Sequence, residues 1–170
     1  MSNVKENILT TLRSTQREHI GHVIEYMQKN GFFDRGCHGH HKYVGGLADH
    51  AWQTFLFAKD AENEYCKNNP NHKMVSMESL ALCCLLHDFC DCHGMKKLGG
   101  HGLRSAMMLT ELGLYLSKEE FLAIRFHMSL KNKKDHPLYN DACHCHLCYI
   151  VHRADGLSAK SYRGSSITKS

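Results

Sequence analysis

An apolar run, Leu80-Ala81-Leu82-Cys83-Cys84-Leu85-Leu86, ends directly on His87-Asp88, and the chain continues as Phe89-Cys90-Asp91. An imidazole and a carboxylate at the end of a hydrophobic helix are costly to bury unless something compensates their desolvation. A cation ligated by both groups would do so. Further His and Asp residues stand about one per predicted helix: His50, His101, His127 and Asp155. This pattern predicts a metal site assembled from several helices.

The 170 residues are enough for one domain. A domain of that size buries roughly 68–70% of its unfolded surface and needs no covalent staples. Apolar residues make up 42% and there are only two prolines, which fits a folded, helix-tolerant chain. No apolar stretch approaches the ~18 residues of a membrane span, and the N-terminus lacks an apolar leader. The nine cysteines are therefore expected to be reduced thiols in the cytoplasm, and their odd number argues against a complete disulfide framework. A net charge of +4 suits an anionic substrate. Dense basic sequence is confined to Lys131-Asn132-Lys133-Lys134, so neither nucleic acid nor membrane is an expected partner.

Apolar spacing predicts an all-α fold of about six helices, over residues 4–30, 46–68, 76–91, 100–113, 117–128 and 140–162. Ser76 is placed as an N-cap, and Ser117 to Glu120 as a capping box. A Gly/His-rich loop covers residues 36–46. Residues 1–163 form the domain, and residues 164–170 read as a disordered tail. The apolar face of the first helix leaves room for a homodimer.

His50, His87, Asp88 and Asp155 supply a mixed nitrogen and oxygen set, suited to Mn, Fe, Ni, Zn or Mg. His101 and His127 could hold a second ion, with Asp88 bridging the two through its separate oxygens. Arg104 and Ser105 share the helical face of His101. They would lie where phosphate oxygens bind, with Lys42 reaching from the loop. Asp88 and Arg104 are the expected catalytic residues; Lys42, Arg104 and Ser105 are the expected substrate contacts. His152 and Asp91 face the site as supporting groups, whereas Arg125, two residues before His127, points elsewhere.

In this order the residues resemble the HD-domain superfamily of metal-dependent phosphohydrolases, and in particular its small bacterial and phage proteins. The segments that carry the resemblance are residues 41–50, Leu85-Leu86-His87-Asp88, residues 100–105, 123–128 and 152–160. It implies a bundle of about six helices around one or two divalent ions. It also implies attack of metal-bound hydroxide on phosphorus in a nucleotide or another small phosphoester. Members often carry lysine three residues after the motif aspartate. Here that position is Asp91, with Lys96, Lys97 or Arg104 as compensating cations.

Three other readings remain open. The six-ligand pattern also resembles diiron HD oxygenases. A non-catalytic metal-binding regulatory module would keep the same fold. RNA hydrolysis is suggested only by the last helix, which lacks a stacking platform. Cys83 and Cys84 read as small core residues. Cys145 and Cys148, one turn apart, and the string Cys37 to His41 are weaker zinc candidates.

Overall fold

The structure is a computed structural model that describes residues 2–37, 39–93, 100–128 and 137–167. These residues form eight α-helices and no strand. The helices are α1 (Ser2–Ser14), α2 (Ile20–Lys29), α3 (Gly46–Asn68), α4 (Met77–Leu86), α5 (His101–Glu111), α6 (Lys118–Phe126), α7 (Tyr139–His144) and α8 (His146–Ile167). A 3-10 turn, Phe89–His93, follows α4. Among the described residues, no helix is long and apolar enough to cross a membrane.

The apolar run Leu80 to Leu86 lies in the core. Every residue from Leu80 to Leu86 is buried. A helix apolar on all sides has no solvent face and must be wrapped by others. Here α1, α3, α6 and α8 wrap α4. α3 also packs along α8, and α5 packs on α6. Ser76 caps α4 by accepting from the Ser79 amide at 3.1 Å. The predicted capping box of α6 is present: Ser117 Oγ accepts from Glu120 N at 3.2 Å, and Glu120 Oε2 accepts from Ser117 N at 2.8 Å.

Two expected helices are each split in two. The first breaks after Ser14, where residues 13–19 offer nothing apolar to bury. Gln16 and His19 adopt positive φ of 51° and 62° at the break. The reversal sends Arg17 inward onto Glu78 and Glu120. The last helix breaks at Cys145, whose backbone is extended (φ −86°, ψ 110°), which separates α7 from α8. α8 then runs to Ile167, past the expected end at residue 162; residues 168–170 lie outside the described region.

The apolar side of the first helix packs inward. Ile8, Leu9 and Leu12 of α1 are all in the core. The basic string at residues 131–134, together with Lys96 and Lys97, lies outside the described residues.

Candidate metal centre

The architecture brings four helix ends and the middle of α8 together. His50 comes from α3, His87 and Asp88 from the end of α4, His101 from the start of α5, His127 from the end of α6 and Asp155 from α8. All six predicted ligands therefore converge, although they span residues 50 to 155 of the chain. His50 and His87 are fully buried, His127 and Asp155 nearly so. The His101 side chain is 29% exposed, so solvent reaches the centre from the α5 side.

Asp88 divides the centre into two pockets. On one side, its Oδ2 lies 3.4 Å from His87 Nε2 and 3.8 Å from His50 Nε2. Those two nitrogens are 3.1 Å apart, and Asp155 Oδ1 stands 3.2 Å from His50 Nε2 and 3.9 Å from His87 Nε2. On the other side, Asp88 Oδ1 lies 3.3 Å from both His101 Nε2 and His127 Nε2, which are 2.9 Å apart. Each pocket contains three ligand atoms within 4.8 Å of one another: His50, His87 and Asp88 in one, Asp88, His101 and His127 in the other.

The far ring nitrogens fix which atoms point inward. His87 Nδ1 donates to the Cys84 carbonyl at 2.9 Å, and His127 Nδ1 donates to the Ile124 carbonyl at 2.7 Å. Their Nε2 lone pairs are thereby turned into the centre, as supporting hydrogen bonds do for metal-ligating imidazoles. His50 Nδ1 is held by the Ser158 hydroxyl at 2.9 Å. His152 Nδ1 donates to the His127 carbonyl at 2.5 Å.

The site passes a test of fit for a cation. Asp88 Oδ1 is buried and has no hydrogen-bond partner among the described residues. Its two imidazole neighbours are close but out of hydrogen-bond alignment. Leaving a buried carboxylate oxygen unpaired costs about 1–3 kcal/mol or more. An ion accepting lone pairs from three sides would remove that cost. Several groups here could hold a metal ion.

Electrostatics follow from the same contacts. Burial works against the Asp88 charge, but His87, then His101 and His127, hold its pKa well below the ordinary carboxylate range. Burial likewise opposes the charge on Asp155, and the hydrogen bond from His50, with His87 and His127 behind it, lowers its pKa. Burial disfavours the His87 imidazolium, yet Asp88 and then Asp155 lift it to about 9. The Asp88 contact raises His101, whereas burial lowers His127.

A pH dependence results. Unfolded histidine titrates near ~6.5. In the metal-free chain, protonated His87 adds stability below that pH, and the contribution is lost as pH rises through about 9. Asp88 and Asp155 contribute above the ordinary carboxylate range near ~4, and their share is lost as pH falls below it. With chelator present, the melting temperature should fall between pH ~6.5 and about 9. A flat profile across that window would count against the assignment of His87. Metal uptake displaces the same proton and should acidify a weakly buffered solution.

The expected substrate contacts fare differently. Arg104 is half-buried one turn after His101, close enough to Cys90 to lower its thiol pKa against the larger effect of burial. Lys42 is exposed on the loop before α3. Ser105 departs from expectation. It is fully buried, and its Oγ accepts from the Cys90 amide at 3.1 Å. It holds the 3-10 turn that follows Asp88 instead of lining an open surface. Asp91 lies on that turn, half-buried, and its charge helps raise His101. Arg125 lies over the Phe126 ring, 5.1 Å from its centroid.

The loop histidines sit deeper than a pocket mouth. His41 is fully buried, with Nε2 3.2 Å from Gln53 Oε1. The His40 ring is 4.5 Å from that of His50. Burial, then His50 and His41, push His40 down to about 4, so it is neutral near pH 7. His40, His41 and His50 form another set with metal-ligand spacing. The Cys37 thiol donates to the Gly46 carbonyl at 3.7 Å, and His38 lies outside the described residues. Cys145 and Cys148 pair with each other and belong to no three-ligand group among the described residues. His146, between them in sequence, turns to a different partner, Glu62.

One glycine sets the second pocket. A Cβ on Gly102 would meet the Ile124 carbonyl oxygen at 2.5 Å and that of Arg125 at 2.7 Å. Both are backbone atoms that cannot swing aside. The bare Gly102 backbone thus lets α5 approach α6 and brings His101 to His127. Gly102→Ala should cost about 1–3 kcal/mol through overpacking. It should also lower metal content by about one equivalent per chain while the His50–His87–Asp155 pocket keeps its ion. Unchanged metal stoichiometry in this variant would contradict the two-pocket description.

The chain matches no family model, no curated protein and no solved structure.

Proposed function

We propose that this chain is a metal-dependent phosphohydrolase of the HD-domain type, acting on a nucleotide or another small phosphoester. The reading rests on one observation above all: the two oxygens of Asp88 face two separate imidazole pairs. That arrangement suits a carboxylate bridging two divalent ions. His50, His87 and Asp155 would complete one coordination shell, and His101 and His127 the other. When bound, such an ion pair supplies an activated water and neutralises charge developing on the phosphoryl oxygens.

The protein's own groups do the rest. The carbonyls of Cys84 and Ile124 and the hydroxyl of Ser158 fix the imidazoles, so that little reorganisation accompanies the reaction. The partial exposure of His101 sets the direction from which substrate arrives. Arg104, on the same face of α5, supplies a permanent cation for a phosphate oxygen. Lys42 sits exposed on the loop leading into α3, suited to a more distal phosphate.

A second reading, an oxygen-activating diiron protein, is favoured by one observation. The half-buried anion Asp91 stands where a phosphate-binding cation is commonly found in this type of protein. The deciding experiment is a panel of phosphomonoesters and phosphodiesters assayed with chain reloaded with Mn, Fe, Ni, Zn or Mg. Phosphate release that chelator abolishes is the expected result. No hydrolysis with any metal, alongside iron retention and an oxygen-dependent absorption band, would replace this reading with the second.

A further inference from the structure

Twelve residues beyond His50 on α3, about 18 Å along the helix axis, stands a second constellation that the proposed centre does not use. Glu62 lies on the buried face of α3, in line with Phe55 and Ala58, and is only 2% exposed. Its Oε2 accepts from His146 Nε2 at 2.7 Å, and its Oε1 accepts from the Val75 amide at 2.8 Å. His72 Nε2 is 3.4 Å from Oε1. That nitrogen is buried and has no hydrogen-bond partner among the described residues. The two imidazole rings are 4.2 Å apart, and the Tyr65 ring flanks both, at 4.8 and 4.4 Å. The three ligand atoms lie within 4.8 Å of one another.

A simple ion pair accounts for only part of this. His146 and the Val75 amide already satisfy Glu62. The His72 nitrogen faces the same carboxylate without the alignment of a hydrogen bond. Two imidazolium rings this close would repel each other, so protonating both is no solution. Two imidazole nitrogens and one carboxylate converging from three chain segments is instead a common donor set for zinc. We infer that Glu62, His72 and His146 form a separate zinc-type site that ties the α3–α4 loop and the start of α8 to α3. Cys66, one turn further along α3, has its Sγ 3.7 Å from Glu62 Oε1. The site goes beyond the proposed hydrolase and does not depend on it.

The experiment uses the full chain, stripped with chelator and re-equilibrated with zinc alone. His72→Ala is the first variant, because the side chain is partly exposed and removing it leaves no partner unsatisfied. His146→Gln is the second. Each should bind about one zinc equivalent less than the unaltered chain and lose the part of the zinc-dependent rise in melting temperature that this site provides. Asp88→Ala should leave this equivalent in place. In the unaltered chain, the imidazole resonances of His72 and His146 should shift together as zinc is added. Equal zinc content in His72→Ala and the unaltered chain, or resonances of both histidines unmoved by zinc, would overturn the assignment.

Discussion

Asp88→Ala is expected to empty both halves of the centre and to lower phosphoester turnover by on the order of 10³-fold or more. The reason is geometric. Among the described residues, Asp88 alone has atoms in both three-ligand groups of this centre. Its Oδ2 serves His50 and His87, and its Oδ1 serves His101 and His127. Removing any single histidine weakens one pocket; removing Asp88 weakens both. Asp88→Asn keeps the shape but not the charge, and should retain metal more weakly than the parent. In the chelated protein, the alanine change should also let His87 fall from about 9 toward the usual histidine value, because its foremost anionic neighbour is gone. Histidine titration by NMR and elemental analysis check these points separately from activity. Normal turnover by an Asp88→Ala chain would end the hydrolase proposal.

The largest effect on stability is expected at Glu120, away from the metal centre. This side chain is fully buried and serves three partners. It accepts from the Ser117 amide at 2.8 Å, from Ser79 Oγ at 2.7 Å and from Arg17 Nη2 at 2.6 Å, while its own amide completes the capping box. Arg17 also reaches Glu78. One carboxylate thus joins the start of α6 to the start of α4 and to the turn between α1 and α2. Glu120→Ala leaves a cap unmade and a largely enclosed guanidinium with Glu78 as its remaining counter-charge. Breaking a buried pair from one side costs about 3–5 kcal/mol. In a domain of this size that should lower the melting temperature by on the order of 10 °C. Glu120→Gln keeps most of the hydrogen bonds and should lose less. Well below their melting temperatures, both variants should hold the same metal per folded chain as the parent. A melting temperature unchanged by Glu120→Ala would show that the network contributes nothing.

Most of the side chains that meet at the candidate metal centre could be picked out from the sequence. His50, His87, Asp88, His101, His127 and Asp155 were legible because each sits near a helix end or on a helix face that apolar spacing had already turned inward. The all-α class was legible for the same reason, since periodicity near 3.6 residues is a local signal. The helix breaks were harder to read. Residues 13–19 lack apolar spacing, but nothing local says that Arg17 will find Glu78 and Glu120, which lie far along the chain. The extended residue Cys145 is ordinary in sequence. Ser105 illustrates a further limit: spacing placed it on the correct face of α5, yet the 3-10 turn was already there to claim its hydroxyl.

The Glu62 constellation was missed altogether, although one signal was available. Phe55, Ala58 and Glu62 fall at helical spacing, which puts a carboxylate on an apolar stripe. A buried glutamate needs partners. Which partners could not be read, because His72 belongs to a loop and His146 to a helix more than eighty residues away. The depth of His40 and His41 was hidden for a similar reason. A Cβ on Gly46 would meet the His41 carbonyl oxygen at 1.9 Å, so the loop folds against a bare backbone. Gly46→Ala should therefore displace the loop beneath His50. Loss of the His40–His50 ring contact, followed by NMR, would be the visible sign.

Anomalous diffraction from crystals loaded with manganese or zinc would locate the ions at Asp88. Two scattering peaks roughly 3.5–4 Å apart, one on each side of the Asp88 carboxylate, are the predicted result. The first should lie against His50, His87 and Asp155, and the second against His101 and His127. A fully loaded crystal with no peak within bonding reach of Asp88 would rule out a metal centre built on that residue.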